Sequence, residues 1–231
     1  LPFLVAAGLS AINLVWALIA LREPRPIGER RAANRMRWDV LKQTLAQPEL
    51  RLLIGLFFLI TLGFSAFEVT FAIFLKQRFG YHQREASYAF AFIGVCMVVA
   101  QGVLVRRLVP RLGEPRLMMV GTALMAGGLA VLSWSHSELE LFLSLAMVAV
   151  GMGLQSPSLS SLVSKRAGEL QGSILGVSQS FGSLARILGP IAGGVLLEQG
   201  ENAPLYAGAL IIGLASMLIG LAVERPAAPG T

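Results

Sequence analysis

Charge is what this sequence has least of. Only 14% of its 231 residues are Asp, Glu, Lys or Arg, while 55% are hydrophobic; an ordinary soluble domain carries about 25% charged residues. With a mean hydropathy of +0.70, the chain has far more apolar surface than a water-soluble core of this size needs. Cysteine is nearly absent as well: the lone Cys96 excludes a disulfide framework and a thiolate metal cluster. Histidine occurs only at His82 and His136, both between hydrophobic runs, and the serine-rich stretch from Ser156 to Ser164 has no intramembrane His or Lys to activate a nucleophile. Catalysis is not expected, and neither is a metal site or an organic cofactor. There is no initiator Met either. Leu1 already stands inside a hydrophobic run, with no basic segment ahead of a small-residue cleavage site. Residues 1–21 are therefore read as a membrane span cut short upstream, not as a signal peptide.

What is present is a series of long uncharged runs separated by short charged ones. Seven hydrophobic segments, at about 1–21, 52–75, 86–105, 117–135, 140–163, 172–197 and 205–223, each approach the roughly 20 residues that a helix needs to cross about 30 Å of hydrocarbon. Unpaired backbone groups are costly in lipid, and barrel strands would be half as long and alternate in polarity, so these segments are helices. The predicted fold class is all-α, a polytopic membrane bundle of seven transmembrane helices.

Placing alternate loops on one side gathers Arg22, Arg25, Arg30, Arg31, Arg35, Arg37, Lys42, Arg51, Arg106, Arg107, Arg111, Arg116, Lys165, Arg166 and Arg225, and leaves Lys76, Arg78 and Arg84 opposite. Fifteen against three assigns the first set to the cytoplasm. The first residue then lies outside and the C-terminus inside, in a multi-pass protein of the cell (inner or plasma) membrane whose first partner is the lipid bilayer. The net charge of +6 follows from this topology, so no nucleic-acid partner is implied.

The extended polar stretch, residues 22–51, has two parts. Arg22 to Asn34 holds Pro24, Pro26 and Gly28 among arginines, the composition of a flexible basic linker. Beyond it, Trp38, Leu41 and Leu45 recur at helical spacing with Arg35, Arg37, Lys42 and Gln43 around the turn. This predicts a short amphipathic helix on the anionic inner leaflet. Within the spans, Gly182, Arg186, Gly189 and Gly193 recur at steps of 4, 3 and 4, with Gln179 three residues earlier, so one helical stripe carries small residues that admit a close neighbour. Pro190 weakens that helix locally.

Two of these features carry a resemblance. The run from Ala185 to Gly194, with Gly189, Pro190, Gly193 and Gly194, resembles the eleventh-helix counterpart of the Gly-Pro motif of major facilitator drug:proton antiporters, the tetracycline-efflux type among them. Gly102, Arg106 and Arg107, then Arg111, Gly113 and Arg116, resemble the second-half copy of that superfamily's cytoplasmic Gly-x-x-x-Asp-Arg loop, with Arg106 at the acidic position and about three extra residues before Arg111. The resemblance implies a C-terminal half carrying helices six to twelve. Residues 1–21 would be the last helix of the first half, 22–51 the linker between halves, 52–225 the six-helix second bundle and 226–231 a cytoplasmic tail. It implies proton-coupled efflux of a small drug-like or amphipathic substrate by alternating access, with the N-terminal half as partner and protons as coupling ion.

Charges inside spans are expensive enough to count as sites. Glu68 shares a helical face with Thr61 and Ser65, a polar stripe suited to a carboxyl that takes up and releases a proton as an aqueous cavity changes sides; the alternative places it near the outer boundary, paired with Lys76. Arg186, among glycines, is read first as bonded to a neighbouring helix and second as meeting an anion. Gln155, Ser156 and Gln179 are candidates for the substrate path, with interhelical hydrogen bonding the competing reading. A rhodopsin-like protein also has seven spans, but the last one, 205–223, lacks the lysine a retinal Schiff base requires. A transport-inactive scaffold or a seven-span receptor stays open as the alternative to a transporter.

Overall fold

Proline, glycine and polar caps cut the apolar runs into helices. Helix α3 (Pro48–Phe79) begins with a proline, whose missing N–H is unused in a first turn, and with Glu49 at the positive helix end. It stops at Gly80, where φ is 68°, and Tyr81 N–H closes the end by donating to the Leu75 carbonyl at 3.2 Å. Helix α6 (Glu138–Arg166) opens on a capping box: Ser137 Oγ accepts from Glu140 N–H at 3.3 Å, and the Glu140 carboxylate accepts from Ser137 N–H at 3.2 Å and His136 N–H at 2.8 Å. The His136–Glu140 segment is thus a helix cap, and no His, Cys, Asp or Glu group suited to a metal occurs among the described residues.

The computed structural model describes residues 2–20 and 37–224. The basic linker expected over 22–34, Arg225 and the expected tail 226–231 lie outside the described residues. The chain divides into two compact units, residues 1–40 and 41–231. The first contains α1 (Pro2–Ala20); α2 (Arg37–Ala46) lies across the division, over the positions of the expected amphipathic helix. The second unit continues with α3, α4 (Gln83–Val99), a π-helical turn (Ala100–Leu104), α5 (Val105–Ser133), α6, α7 (Gln171–Leu197) and α8 (Ala203–Glu224). Among the described residues there is no strand.

Among the described residues five continuous helical stretches are long and apolar enough to cross a membrane: Pro48–Phe79, Gln83–Ser133, Glu138–Arg166, Gln171–Leu197 and Ala203–Val223. Seven were expected, and the difference has two sources. Helix α1 has 19 residues and no charge, close to the roughly 20 of a full crossing, but it adjoins residues outside the described ones and is not among the five. The 51-residue stretch Gln83–Ser133, in contrast, covers two expected spans without a loop between them; only Gly113, with φ 75° and ψ 160°, leaves helical geometry.

That one residue reverses the chain. Phe92 stacks edge-on to Phe142 at 5.1 Å while Ala100 lies against Gly153, so numbers rise together and α4 runs parallel to α6. Gly121 meets Gly151 and Gln155, and Gly128 meets Ser144 and Val148, so beyond Gly113 α5 runs antiparallel to α6. The two legs of Gln83–Ser133 therefore run in opposite directions. By the same reading α3 is parallel to α7, through Phe57 with Gly182 and Ala66 with Gly193, and antiparallel to α8, through Gly63 with Ile212 and Arg78 with Asn202. All six legs of the second unit alternate in direction.

Between lipid-facing helices there is little hydrophobic driving force, so close packing and interhelical hydrogen bonds must hold them. The tightest seam is α5 on α6: a Cβ on Gly151 would stand 2.5 Å from the Gly121 carbonyl oxygen and 2.7 Å from the Met125 nitrogen. Both obstacles are backbone and cannot turn aside. Gly151→Ala is expected to destabilise the bundle by about 1–3 kcal/mol, measured as a fall in the thermal unfolding midpoint in detergent. Gly213→Ala, whose new Cβ has its nearest neighbour at 3.8 Å, should leave the midpoint unchanged.

Candidate functional site

The glycine stripe of α7 is split by the fold into a seam and a flank. A Cβ on Gly182 would stand 2.6 Å from the Phe57 ring; on Gly189, 2.7 Å from Ser65 Cβ and 3.0 Å from Ala66 N; on Gly193, 2.8 Å from the Ala66 carbonyl oxygen. These three glycines span only about 40° of arc and form the contact with α3. Gln179 and Arg186 lie about 40–60° to one side, and both are exposed. Gly194 is exposed too, with nothing within 4 Å of its Cβ position, so it takes no part in the seam. Pro190 is half-buried and α7 continues through it.

Arg186 makes no hydrogen bond or ion pair with any described residue. A step of 3 or 4 residues is too coarse to tell the packed centre of a stripe from its margin.

The polar stripe of α3 divides in the same way. Ser65 is buried against Gly189, Thr61 is half-buried and Glu68 is exposed. Glu68 points about 60° away from Ser65, which meets α7, and about 60° from Phe71, which stacks edge-on to Phe90 of α4 at 5.2 Å. Its direction therefore lies between α4 and α7. Among the described residues its carboxylate has no partner, Lys76 included. From the α3–α7 register, Arg186 is level with Thr61 and about two turns from Glu68, so the two intramembrane charges do not pair. Gln155 is buried on α6, 3% exposed, and its Nε2 has no hydrogen-bond partner among the described residues. Ser156 beside it is half-buried, and its carbonyl accepts from Ser160 Oγ at 3.0 Å.

Two clusters at the helix ends escaped the sequence reading. In the loop motif, Gly102 falls in the π-helical turn, and Arg106, Arg107, Arg111 and Arg116 are all exposed without an ion pair among the described residues. The pairing is done by a residue outside the motif. Glu114, next to the Gly113 reversal, bonds to Lys165 and accepts from Ser161 Oγ at 3.1 Å, while Glu49 pairs with Arg166. At the opposite end Arg78, 19% exposed, donates to the Ser133 carbonyl and to Asn202 Oδ1, each at 3.2 Å, with Glu201 at 3.5 Å and the Phe74 ring beneath it at 5.9 Å. It ties the ends of α3, α5 and α8 together. Nearby Tyr81 O–H donates to Glu138 at 3.2 Å and Trp134 Nε1–H to Tyr206 O at 2.8 Å. No local spacing could have found these pairs, because their partners are about 50 or more residues apart in sequence.

Alternating apolar legs, close glycine seams and ionic caps at both ends define a multi-pass helical membrane protein. Comparison with known proteins narrows this: the profile of the Major Facilitator Superfamily matches residues 1–190 and, overlapping, 111–231. The chain belongs to the Major Facilitator Superfamily. It is similar to Multidrug resistance protein 2 of Bacillus subtilis (strain 168), 28% identical over 230 residues that cover 95% of this chain and 56% of that protein. It is also similar to Quinolone resistance protein NorA of Staphylococcus aureus (strain MSSA476), 22% identical over 226 residues, 95% of this chain and 56% of that one. A solved structure, that of the human organic anion transporter MFSD10 (TETRAN), superposes with a TM-score of 0.70 at 27% identity, covering 86% of this chain and 50% of that chain. The chain spans about half the length of the curated relatives it matches.

The Lys165 ammonium holds the Glu114 carboxyl below the usual carboxylate range, partial burial opposing and Ser161 assisting. A carboxyl whose pKa is lowered by folding contributes fully above its unfolded value, near 4.5, and loses that contribution as pH falls through the lowered value. Glu114→Gln is therefore expected to unfold below the parent at pH 7, by no more than about 1 kcal/mol for so exposed a partner. The gap should close in acid. A pH-independent gap in thermal melts would remove the carboxylate charge from the account.

Proposed function

We propose that this chain is the second bundle, with one preceding helix, of a proton-coupled transporter that exports a small drug-like or amphipathic molecule by alternating access. In this reading α1, α3, the two legs of Gln83–Ser133, α6, α7 and α8 each cross the membrane once, making seven spans. The helix ends carrying Arg51, Arg106, Arg107, Arg111, Arg116, Lys165 and Arg166 face the cytoplasm, since cytoplasmic loops carry the excess of Lys and Arg. The ends carrying Lys76, Arg78 and Arg84 face outward. The first-half bundle of the same transporter, the lipid bilayer and the substrate are its partners.

The observation that carries the reading is Glu68. A carboxylate without a partner among the described residues, in a segment with no other charge from Leu52 to Leu75, is too costly to face hydrocarbon and belongs on a water-filled path or against a second bundle. There it has the chemistry of a coupling group: one carboxyl oxygen takes a proton from the acidic side and gives it up on the other, while substrate occupies the emptied site. Thr61 on the same helix, Gln179 and Arg186 on the exposed flank of α7, and Ser156 with Gln155 on α6 supply polar positions along such a path. The names of the resistance relatives, together with the superfamily membership, support efflux of drug-like compounds as the activity.

In the full transporter, reconstituted in inside-out vesicles with an imposed proton gradient, Glu68→Gln is expected to lower gradient-driven drug accumulation by at least tenfold. Drug binding to the purified protein should persist. Normal gradient-driven transport by the variant would remove Glu68 from the coupling role.

A further inference from the structure

At the end of the second unit where Lys and Arg concentrate, a pocket of about 310 Å³ opens between α3, α5, α6 and α8. Leu53, Leu56, Met118, Leu162 and Ile219 line it, and Glu49 and Arg166 stand at its rim. The volume lies at the low end of the roughly 300–1,000 Å³ of small-molecule sites. Its inner walls are alkyl side chains that leave water no polar partner, so the favoured occupant is apolar.

The rim asks for something different. Glu49 and Arg166 are both exposed, and an ion pair of that kind is weak enough to open for a competitor. Arg51 and Arg116, next in sequence to the lining residues Leu52 and Pro115, are exposed and without an ion pair among the described residues. The rim therefore attracts anions. It also stands at the end of four membrane-length helices, at the depth where lipid head groups lie, and basic residues there draw anionic lipids.

We infer that this pocket is a binding site for an anionic phospholipid, one acyl chain inserted between α3 and α8 and the phosphate meeting Arg166 in place of Glu49. Neither transport nor proton coupling enters this inference; it requires only that the chain sits in a bilayer.

The test is the thermal midpoint of the purified full chain in detergent, titrated with phosphatidylglycerol or with phosphatidylcholine of the same acyl chains. Phosphatidylglycerol should raise the midpoint at lower concentration than phosphatidylcholine. Arg166→Gln should weaken its apparent affinity by about tenfold, the weight of one charged contact. Ala222→Trp places a large ring at the exposed lip of the pocket without entering the packed core, and should abolish the effect while far-UV circular dichroism stays unchanged. Equal responses to the two lipids, or a phosphatidylglycerol response that survives Ala222→Trp, would overturn the assignment. So would full stabilisation by glycerol 3-phosphate alone, which would make the site one for a free phosphate rather than a lipid.

Discussion

Everything in the second unit depends on how closely backbones approach at glycine. In water a bundle is held by apolar area withdrawn from solvent, but lipid tails solvate leucine as well as a neighbouring helix does. What is left is dispersion and hydrogen bonding, both steep in distance. Gly121 and Gly151 bring α5 and α6 together, and Gly182, Gly189 and Gly193 bring α7 onto α3. Large side chains then fill what the seams leave: Phe67, Phe71 and Phe74 are wholly buried, and Phe58 meets Phe181 across the α3–α7 contact at 6.5 Å. The ionic caps at the helix ends stand where these seams bring them.

Much of this was legible in the sequence, for physical reasons. Span existence depends on composition over about 20 residues and needs no knowledge of contacts. The division of the glycine stripe was not legible, because Gly182 and Arg186 are one turn apart and differ by only about 40° of arc. The legs of Gln83–Ser133 were expected as two spans with a loop. The structure instead reverses direction at a single residue, Gly113, whose φ of 75° is open to glycine and strained for most others. Glu114 was passed over because the motif places its acid elsewhere, at the position Arg106 holds; its partner Lys165 lies on another helix.

Arg78 and the two charges within apolar helices, Glu68 and Arg186, differ in how far the fold satisfies them. Arg78 is mostly buried and its guanidinium reaches a carbonyl, an amide oxygen, a carboxylate and an aromatic face. Its Nε makes no hydrogen bond, but the other contacts compensate most of its charge within the bundle. Glu68 and Arg186, in apolar segments where a charge is most costly, have no partner at all among the described residues. A charge that the fold leaves unsatisfied needs water or a second bundle, and that is why Glu68 weighs more in the functional reading than any residue of the glycine seam.

The two ends of the bundle are fastened unequally. On the side of Arg78, hydrogen bonds join α3 to α5 and α8, Tyr81 to Glu138 and Trp134 to Tyr206. On the other side, α5 is joined to α6 by Glu114 with Lys165 and Ser161, and α3 to α6 by Glu49 with Arg166; Lys165 is 62% exposed and Glu49 67%. Exposed pairs contribute about 0–1 kcal/mol each, while hydrogen bonds from a partly buried charge contribute about 1.5–3 kcal/mol. That less firmly tied end is also where the chain reverses at Gly113 and where the apolar pocket opens. Opening within the second unit therefore costs least at the end carrying Arg111 to Arg116 and most at the glycine seams and the Arg78 cluster.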